Sequence, residues 1–160
     1  MMWRKTYPEK VGTGVFPGLF LVLAIGLLNP VAAQSTAQSK IDKAAILTIN
    51  SEFYRAFRES DEPGMDAVWA QEGSVSLQHP SGWRVDGREA VMESWSLILQ
   101  RPPRITCVVE GISFAEKLAT VFCNEQLNPG NVRMKNIFQR EGGVWKMIYH
   151  GPLSEDEAVS

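Results

Sequence analysis

Hydrophobic positions change their period along this chain. From Ile41 to about Phe57 they fall at Ile41, Ala45, Ile46, Ile49, Phe53, Ala56 and Phe57, the spacing of one helical face, with charged residues on the other side. Ser60-Asp61-Glu62-Pro63-Gly64 is a turn that also opens a second, short helix. Pro63 suits the first helical position, Met65, Val68 and Trp69 form the buried side, and Gly73 closes the segment. The period then becomes two. Val75, Leu77 and His79 alternate with polar residues, Pro80-Ser81-Gly82 breaks the strand, and Trp83 and Val85 start another. Asp86, with Glu89 three residues on, resembles a capping box. Val91, Trp95, Ile98 and Leu99 then form a helical stripe that stops before Pro102-Pro103.

The rest of the chain is strand-rich. Arg104–Ile112, Leu118–Leu127, Val132–Arg140 and Val144–His150 are separated by short turns at Ala115-Glu116, Asn128-Pro129-Gly130 and Glu141-Gly142-Gly143. Three helices interleaved with a hairpin and followed by a four-stranded meander predict an α+β domain, an antiparallel sheet with helices on one face. No internal repeat or low-complexity segment interrupts it. The tail from Ser154 is acidic and lacks aromatics, which predicts a frayed end.

Four blocks carry a family resemblance: EFYRAFRESD from Glu52, MDAVWAQEGSVSLQHPSGW from Met65, VDGREAVMESWSLIL from Val85, and VWKMIYHGP from Val144. Together they resemble the nuclear transport factor 2-like superfamily, in its SnoaL-like branch, over about Ile41 to Pro152. Ser81, standing between His-Pro and Gly-Trp, departs from the pattern. The resemblance implies a cone-shaped, curved antiparallel sheet wrapped around three helices, the cystatin-like α+β barrel, with a conical pocket between sheet and helices. It also implies homodimers formed through the sheet. It leaves function open, because the superfamily holds isomerases, dehydratases, cyclases, hydrolases, binding proteins and assembly domains.

Residues 1–33 read as a signal peptide. Arg4, Lys5 and Lys10 form a basic start, Leu19 to Leu28 is almost wholly apolar, Asn29-Pro30 breaks it, and Val31-Ala32-Ala33 fits a cleavage site. The apolar run is short for a membrane span. Residues 34–160 would then be one mature domain, with its core over about 41–152, in the periplasm or outside the cell. The leader carries three basic residues against Glu9, so its removal takes the net charge from −2 to −4. A mildly acidic domain without a Lys/Arg cluster argues against nucleic acid and against stable adhesion to a membrane. Cys107 and Cys123 fall in consecutive strands. Directly opposed they could bridge, while a slip of one residue would part them onto opposite faces, and two buried free thiols is the preferred reading.

Polar residues on apolar strand faces are the candidates for chemistry, since burial demands a partner or a ligand. His79 continues the Val75, Leu77 face, and Glu125 continues Ala119, Val121 and Cys123. A rival alternation through Leu118, Thr120 and Phe122 would instead turn Glu125 to solvent. Asn136 sits among Val132, Met134 and Phe138. In a cone, a His79–Glu125 pair with Asn136 nearby would supply an acid, a base and an orienting amide. Alternatively, His79 satisfies a turn carbonyl and Asn136 bonds across the sheet. Trp69, Trp83, Trp95 and Phe138 are core or cavity lining, and Tyr54 and Tyr149 add hydroxyls to that candidate ligand-binding set. Trp145, Met147 and Tyr149 alternate onto one face of the last strand, and Val144, Ile148 and His150 onto the other, so His150 reads as an interface or terminal residue. Asp66 would join the polar set only if its helix faced the cavity. Two histidines without spaced companions give no metal motif, and no phosphate loop or nucleophile elbow appears, so no cofactor is expected. Three readings follow: a module binding a small apolar or amphipathic molecule without turnover; a cofactor-independent lyase or isomerase using His79 and Glu125; or a dimerisation domain whose cone is filled by its own side chains.

Overall fold

The computed structural model describes residues 30–154. The predicted leader lies outside the described residues except for its last four, which form the first turn of a long helix. That helix, α1 (Pro30–Glu59), is followed by α2 (Glu62–Val68), strands β1 (Ser76–Gln78) and β2 (Arg84–Asp86), and α3 (Arg88–Leu99). The meander follows as β3 (Thr106–Ala115), β4 (Leu118–Gln126), β5 (Asn131–Glu141) and β6 (Val144–Pro152). The strands form one curved, unclosed sheet in the order β2-β1-β6-β5-β4-β3, antiparallel throughout except where β1 runs parallel to β6.

Local chemistry explains the helix ends. Asp61 caps α2 by accepting from the Gly64 amide at 3.0 Å, and Pro63 occupies the first turn, where its missing N–H costs nothing. The predicted box at α3 does not form. Gly87 is its N-cap at φ 91°, while Asp86 turns back to pair with Arg84 at 2.8 Å. The extra Ser81 is absorbed in a tight turn closed by His79 N–H to Trp83 O at 2.7 Å, with Gly82 at a left-handed φ of 91°.

The core fills the inner face of the sheet. On β4, Ala119, Val121, Cys123 and Glu125 point inward while Thr120, Phe122 and Asn124 do not. Glu125 therefore takes the first of its two predicted alternations. α1 and α3 close over this face, with the Phe53 and Trp95 rings meeting edge to face at 5.3 Å. Trp69, Phe138 and Met147 are completely enclosed behind them.

Two register shifts change what the strands present. In β3 one residue, Glu110, is passed over between Val109, opposite Cys123, and Gly111, opposite Phe122. In β6, Ile148 is passed over: Met147 faces Phe138, and Tyr149 faces Ile137. Before that bulge, Trp145 and Met147 point inward, as the alternation predicts. Beyond it the faces exchange, so His150 is buried opposite Asn136 and Tyr149 is turned outward.

The preferred reading of two free thiols is corrected, because Cys107 and Cys123 form a disulfide with Cα atoms 5.3 Å apart. They are neither directly opposed nor one residue out of step. Cys107 pairs with Glu125 and Cys123 with Val109, a diagonal offset of two that keeps both sulfurs on the inner face.

Candidate functional site

A cavity of about 370 Å³ opens between α3, the β1–β2 turn and the inner ends of β4 to β6. Its walls are mainly apolar, from Leu77, Trp95, Ile105, Leu127, Val132 and Met134. His79 and Arg101 stand among its lining residues, and two buried polar groups, Glu125 and His150, also reach it. Leu97, 63% exposed, is a further lining residue of this open end.

Glu125 and His150 belong to a buried network anchored on α1. The Tyr54 hydroxyl donates to Glu125 Oε1 at 2.5 Å. Asn136 Nδ2 donates to Asn50 Oδ1 at 2.7 Å and to the Tyr54 oxygen at 3.3 Å. His150 Nδ1 meets Asn136 Oδ1 at 2.6 Å, and its Nε2 lies 3.8 Å from Glu125 Oε1. Asn50 Nδ2 points at both disulfide sulfurs, at 3.8 Å each. Two strand rows assemble this arrangement. Glu125 is flanked by Cys107 and Val132, and Asn136 by Val121 and His150, while α1 lays Asn50 and Tyr54 across them.

Burial sets the protonation states. It raises the Glu125 carboxyl to about 7, against the opposing pull of the Tyr54 hydrogen bond. It lowers His150 to about 3, with a smaller push from the charge of nearby His79. Burial, then the Glu125 carboxylate, drive the Tyr54 hydroxyl far above the ordinary phenol range. His79 is lowered by burial. Near neutral pH, His150 is therefore a neutral imidazole, Tyr54 stays a donor, and Glu125 divides between acid and carboxylate. The contact between Glu125 and His150 is then no ion pair, and the carboxyl can give or take a proton near neutral pH.

The candidates separate by place. Glu125, His79 and Trp95 line the cavity. Tyr54 and Asn136 stand behind Glu125 and His150 and hold them. Trp69 and Phe138 are packed in the closed core, and Trp83 lies on the rim, 54% exposed, with its ring stacked on His79 at 4.7 Å. Tyr149, expected inside, is on the outer face, where its hydroxyl meets Gln78 Oε1 at 3.1 Å. The expected His79–Glu125 pair does not form. The polar neighbour of the His79 ring is the Ser94 hydroxyl at 3.4 Å, and His150 occupies the place beside Glu125. His150 is thus an interior residue, not a terminal or interface one. Asp66 is on the surface, paired with Arg88 at 2.6 Å. The cone is filled by its own side chains only in part.

Two participants were missed. Asn50 falls between Ile46 and Phe53 on the buried stripe of α1, and a polar residue on that stripe was a readable signal. His150 left none, because its face depends on the bulge. Among the described residues no group of His, Cys, Asp and Glu is placed to hold a metal ion, and no helix is long and apolar enough to cross a membrane.

Comparison with known proteins agrees with this architecture. The SnoaL-like domain model matches residues 46–152. The F-box protein SKIP8 of Arabidopsis thaliana is 26% identical over 110 residues, which is 66% of this chain and 48% of that protein. The chain thus spans about half the length of that curated relative. Among solved structures, a candidate dehydratase of the nuclear transport factor 2-like family from Streptomyces avermitilis superposes with a TM-score of 0.60 at 23% identity, covering 71% of this chain and 97% of the other. A Nostoc punctiforme protein of unknown function with a cystatin-like fold gives 0.57 at 19% identity, covering 70% and 90%. At these identities the likeness is one of fold.

Proposed function

The chain belongs to the SnoaL-like domain family, and on that footing we propose that it binds a small, largely apolar molecule with a hydrogen-bonding group directed at Glu125 and His150. The observation that carries this reading is an open, apolar cavity of about 370 Å³ with two buried polar side chains among its lining residues. That volume lies within the roughly 300–1,000 Å³ of small-molecule sites. The indole N–H of Trp95, a lining residue, is buried without a partner among the described residues and would welcome a ligand acceptor. The test is calorimetric titration of the mature protein with 4-nitrophenol. Saturable binding is expected, weakened about tenfold or more by Leu127→Trp, which places bulk in the cavity, while Trp83→Ala on the rim changes it little. A panel of small aromatic and alicyclic molecules with no saturable binder would overturn the reading.

A second reading, cofactor-free proton transfer, is favoured by one observation: Glu125 sits near 7 at the cavity wall. Glu125 as carboxylate would take a proton from a ligand carbon beside a carbonyl and return it elsewhere on the same molecule. The Trp95 N–H would support the developing oxyanion. The chain is further proposed to act after export, as a homodimer joined through the outer face of its sheet, where Leu118, Phe122 and Ile137 leave apolar surface. Native mass spectrometry of protein recovered outside the cytoplasm reads both features at once. The expected species is a dimer of residues 34–160; a monomer would refute the dimer, and finding the chain uncleaved and confined to the cytoplasm would refute export.

A further inference from the structure

We propose that the Cys107–Cys123 disulfide, acting through Asn50 and Asn136, determines which nitrogen of His150 carries the proton, and so makes the floor of the cavity a hydrogen-bond acceptor selective for ligands that bring a donor. The proposal deepens the binding reading above and rests on it only for its second half, the selection of ligands.

The chain of inference starts at the sulfurs. A disulfide sulfur has lone pairs and no hydrogen, so it accepts and never donates. Asn50 Nδ2 lies 3.8 Å from each sulfur, and Asn136 Nδ2 lies 3.9 Å from that of Cys123. These contacts are weak individually, yet they give the Asn50 side chain a direction: its NH₂ faces the sulfurs and its oxygen faces Asn136. Reversing the amide would set an oxygen against two acceptors and an NH₂ against the NH₂ of Asn136. With Asn50 so fixed, its Oδ1 takes the Asn136 Nδ2 hydrogen at 2.7 Å, and the Asn136 oxygen is left for His150.

An amide oxygen only accepts, so the 2.6 Å contact between Asn136 Oδ1 and His150 Nδ1 requires the hydrogen on Nδ1. A neutral imidazole carries one N–H, which leaves the lone pair on Nε2, beside Glu125 in the cavity wall. Tyr54 works in the same direction. Its hydrogen is committed to Glu125 at 2.5 Å, so its oxygen accepts from Asn136 Nδ2 at 3.3 Å. The network thus has two clamps on the Asn136 amide, one hydroxyl and one disulfide, and each makes His150 Nε2 an acceptor. Asn50 and Asn136 are positioning residues in this scheme, because neither is a lining residue of the cavity.

The test reads the tautomer directly, without a ligand. Long-range ¹⁵N–¹H correlation spectra of the oxidised mature protein are expected to show His150 as the Nδ1–H form. In Cys107→Ala/Cys123→Ala the ratio of Nδ1–H to Nε2–H should fall roughly threefold to tenfold, the scale of one lost net hydrogen bond. Asn50→Ala, which leaves the disulfide intact, should produce a fall of the same order, and it decides the question if the double cysteine variant does not fold. Adding Asn50→Asp to the cysteine variant presents only oxygens to Asn136 and should restore the Nδ1–H form, a rescue that a merely structural role would not give. An unchanged tautomer in folded Asn50→Ala overturns the proposal. The ligand half is read separately. At pH 5, where the phenol keeps its proton, wild type should prefer 4-nitrophenol to 4-nitroanisole, and the cysteine variant should lose that preference by a similar factor. If the tautomer shifts but neither probe binds, the relay stands and the binding reading falls; if the phenol binds and the tautomer is unmoved, the reverse holds.

Discussion

The interior of this small cone has two halves built on the same strands. At one end Trp69, Phe138 and Met147 are completely enclosed within a single apolar cluster. At the other, Glu125, His150, Asn136, Asn50 and Tyr54 hold one another by hydrogen bonds beside a cavity of about 370 Å³. Neighbouring rows of the same sheet supply both, since Phe138 and Asn136 are two residues apart on β5 and Met147 and His150 three apart on β6. The difference teaches how a single-core domain can contain an empty space. One half concentrates the apolar burial that stabilises the chain, and the other tolerates buried polar groups because each is bonded.

The comparison can be broken most forcefully at the closed end. Phe138→Ala should destabilise the protein by about 3–5 kcal/mol, the cost of deleting a completely enclosed aromatic side chain, measured as the shift in urea midpoint. A loss near zero would mean that the packed half is not where stability resides.

A smaller effect sharpens the contrast at the polar end through pH. Glu125 is raised from its ordinary 4.5 to about 7, so its favourable contribution is fully present below 4.5 and is lost as pH rises through about 7. His150 is lowered from 6.5 to about 3, so its contribution is present above 6.5 and is lost as pH falls through about 3. Between about 4.5 and 6.5 the two slopes oppose each other, and wild type should show little dependence from this pair. Glu125→Gln should therefore gain about 2–3 kcal/mol relative to wild type between pH 5 and pH 8. Urea titrations at the two pH values check this, and a mutational effect equal at both would mean that Glu125 is not a buried, proton-holding group.

Much of the architecture was legible because it follows from periods. The third helix, the hairpin and the meander stand close to where alternation and turn residues put them, while α1 begins at Pro30, well before its predicted stripe at Ile41, and α2 stops at Val68, short of Gly73. The SnoaL-like likeness rests on those same blocks. Glu125 was legible as one of two alternatives, and the packing of β4's Ala119, Val121 and Cys123 face into the core decided between them. Other positions were hidden because they depend on register. Cys107 and Cys123 bridge along a diagonal that neither an opposed pairing nor a one-residue slip describes. Tyr149 and His150 changed places because Ile148 is passed over, and nothing in the letters Met-Ile-Tyr-His marks a bulge. Trp83 reads as lining by residue type, yet the turn that absorbs Ser81 leaves it on the rim.

The bulge at Ile148 acts on the last strand as a frameshift acts on a message: the letters downstream are unchanged and their meaning is inverted. With a regular β6, Tyr149 would stand opposite Asn136, presenting a phenol to the interior and the imidazole to solvent. Two relatives with identical residues here could thus differ in the chemistry of their cavities through backbone geometry alone. A comparison by aligned letters would assign the site to the wrong neighbour in one of them.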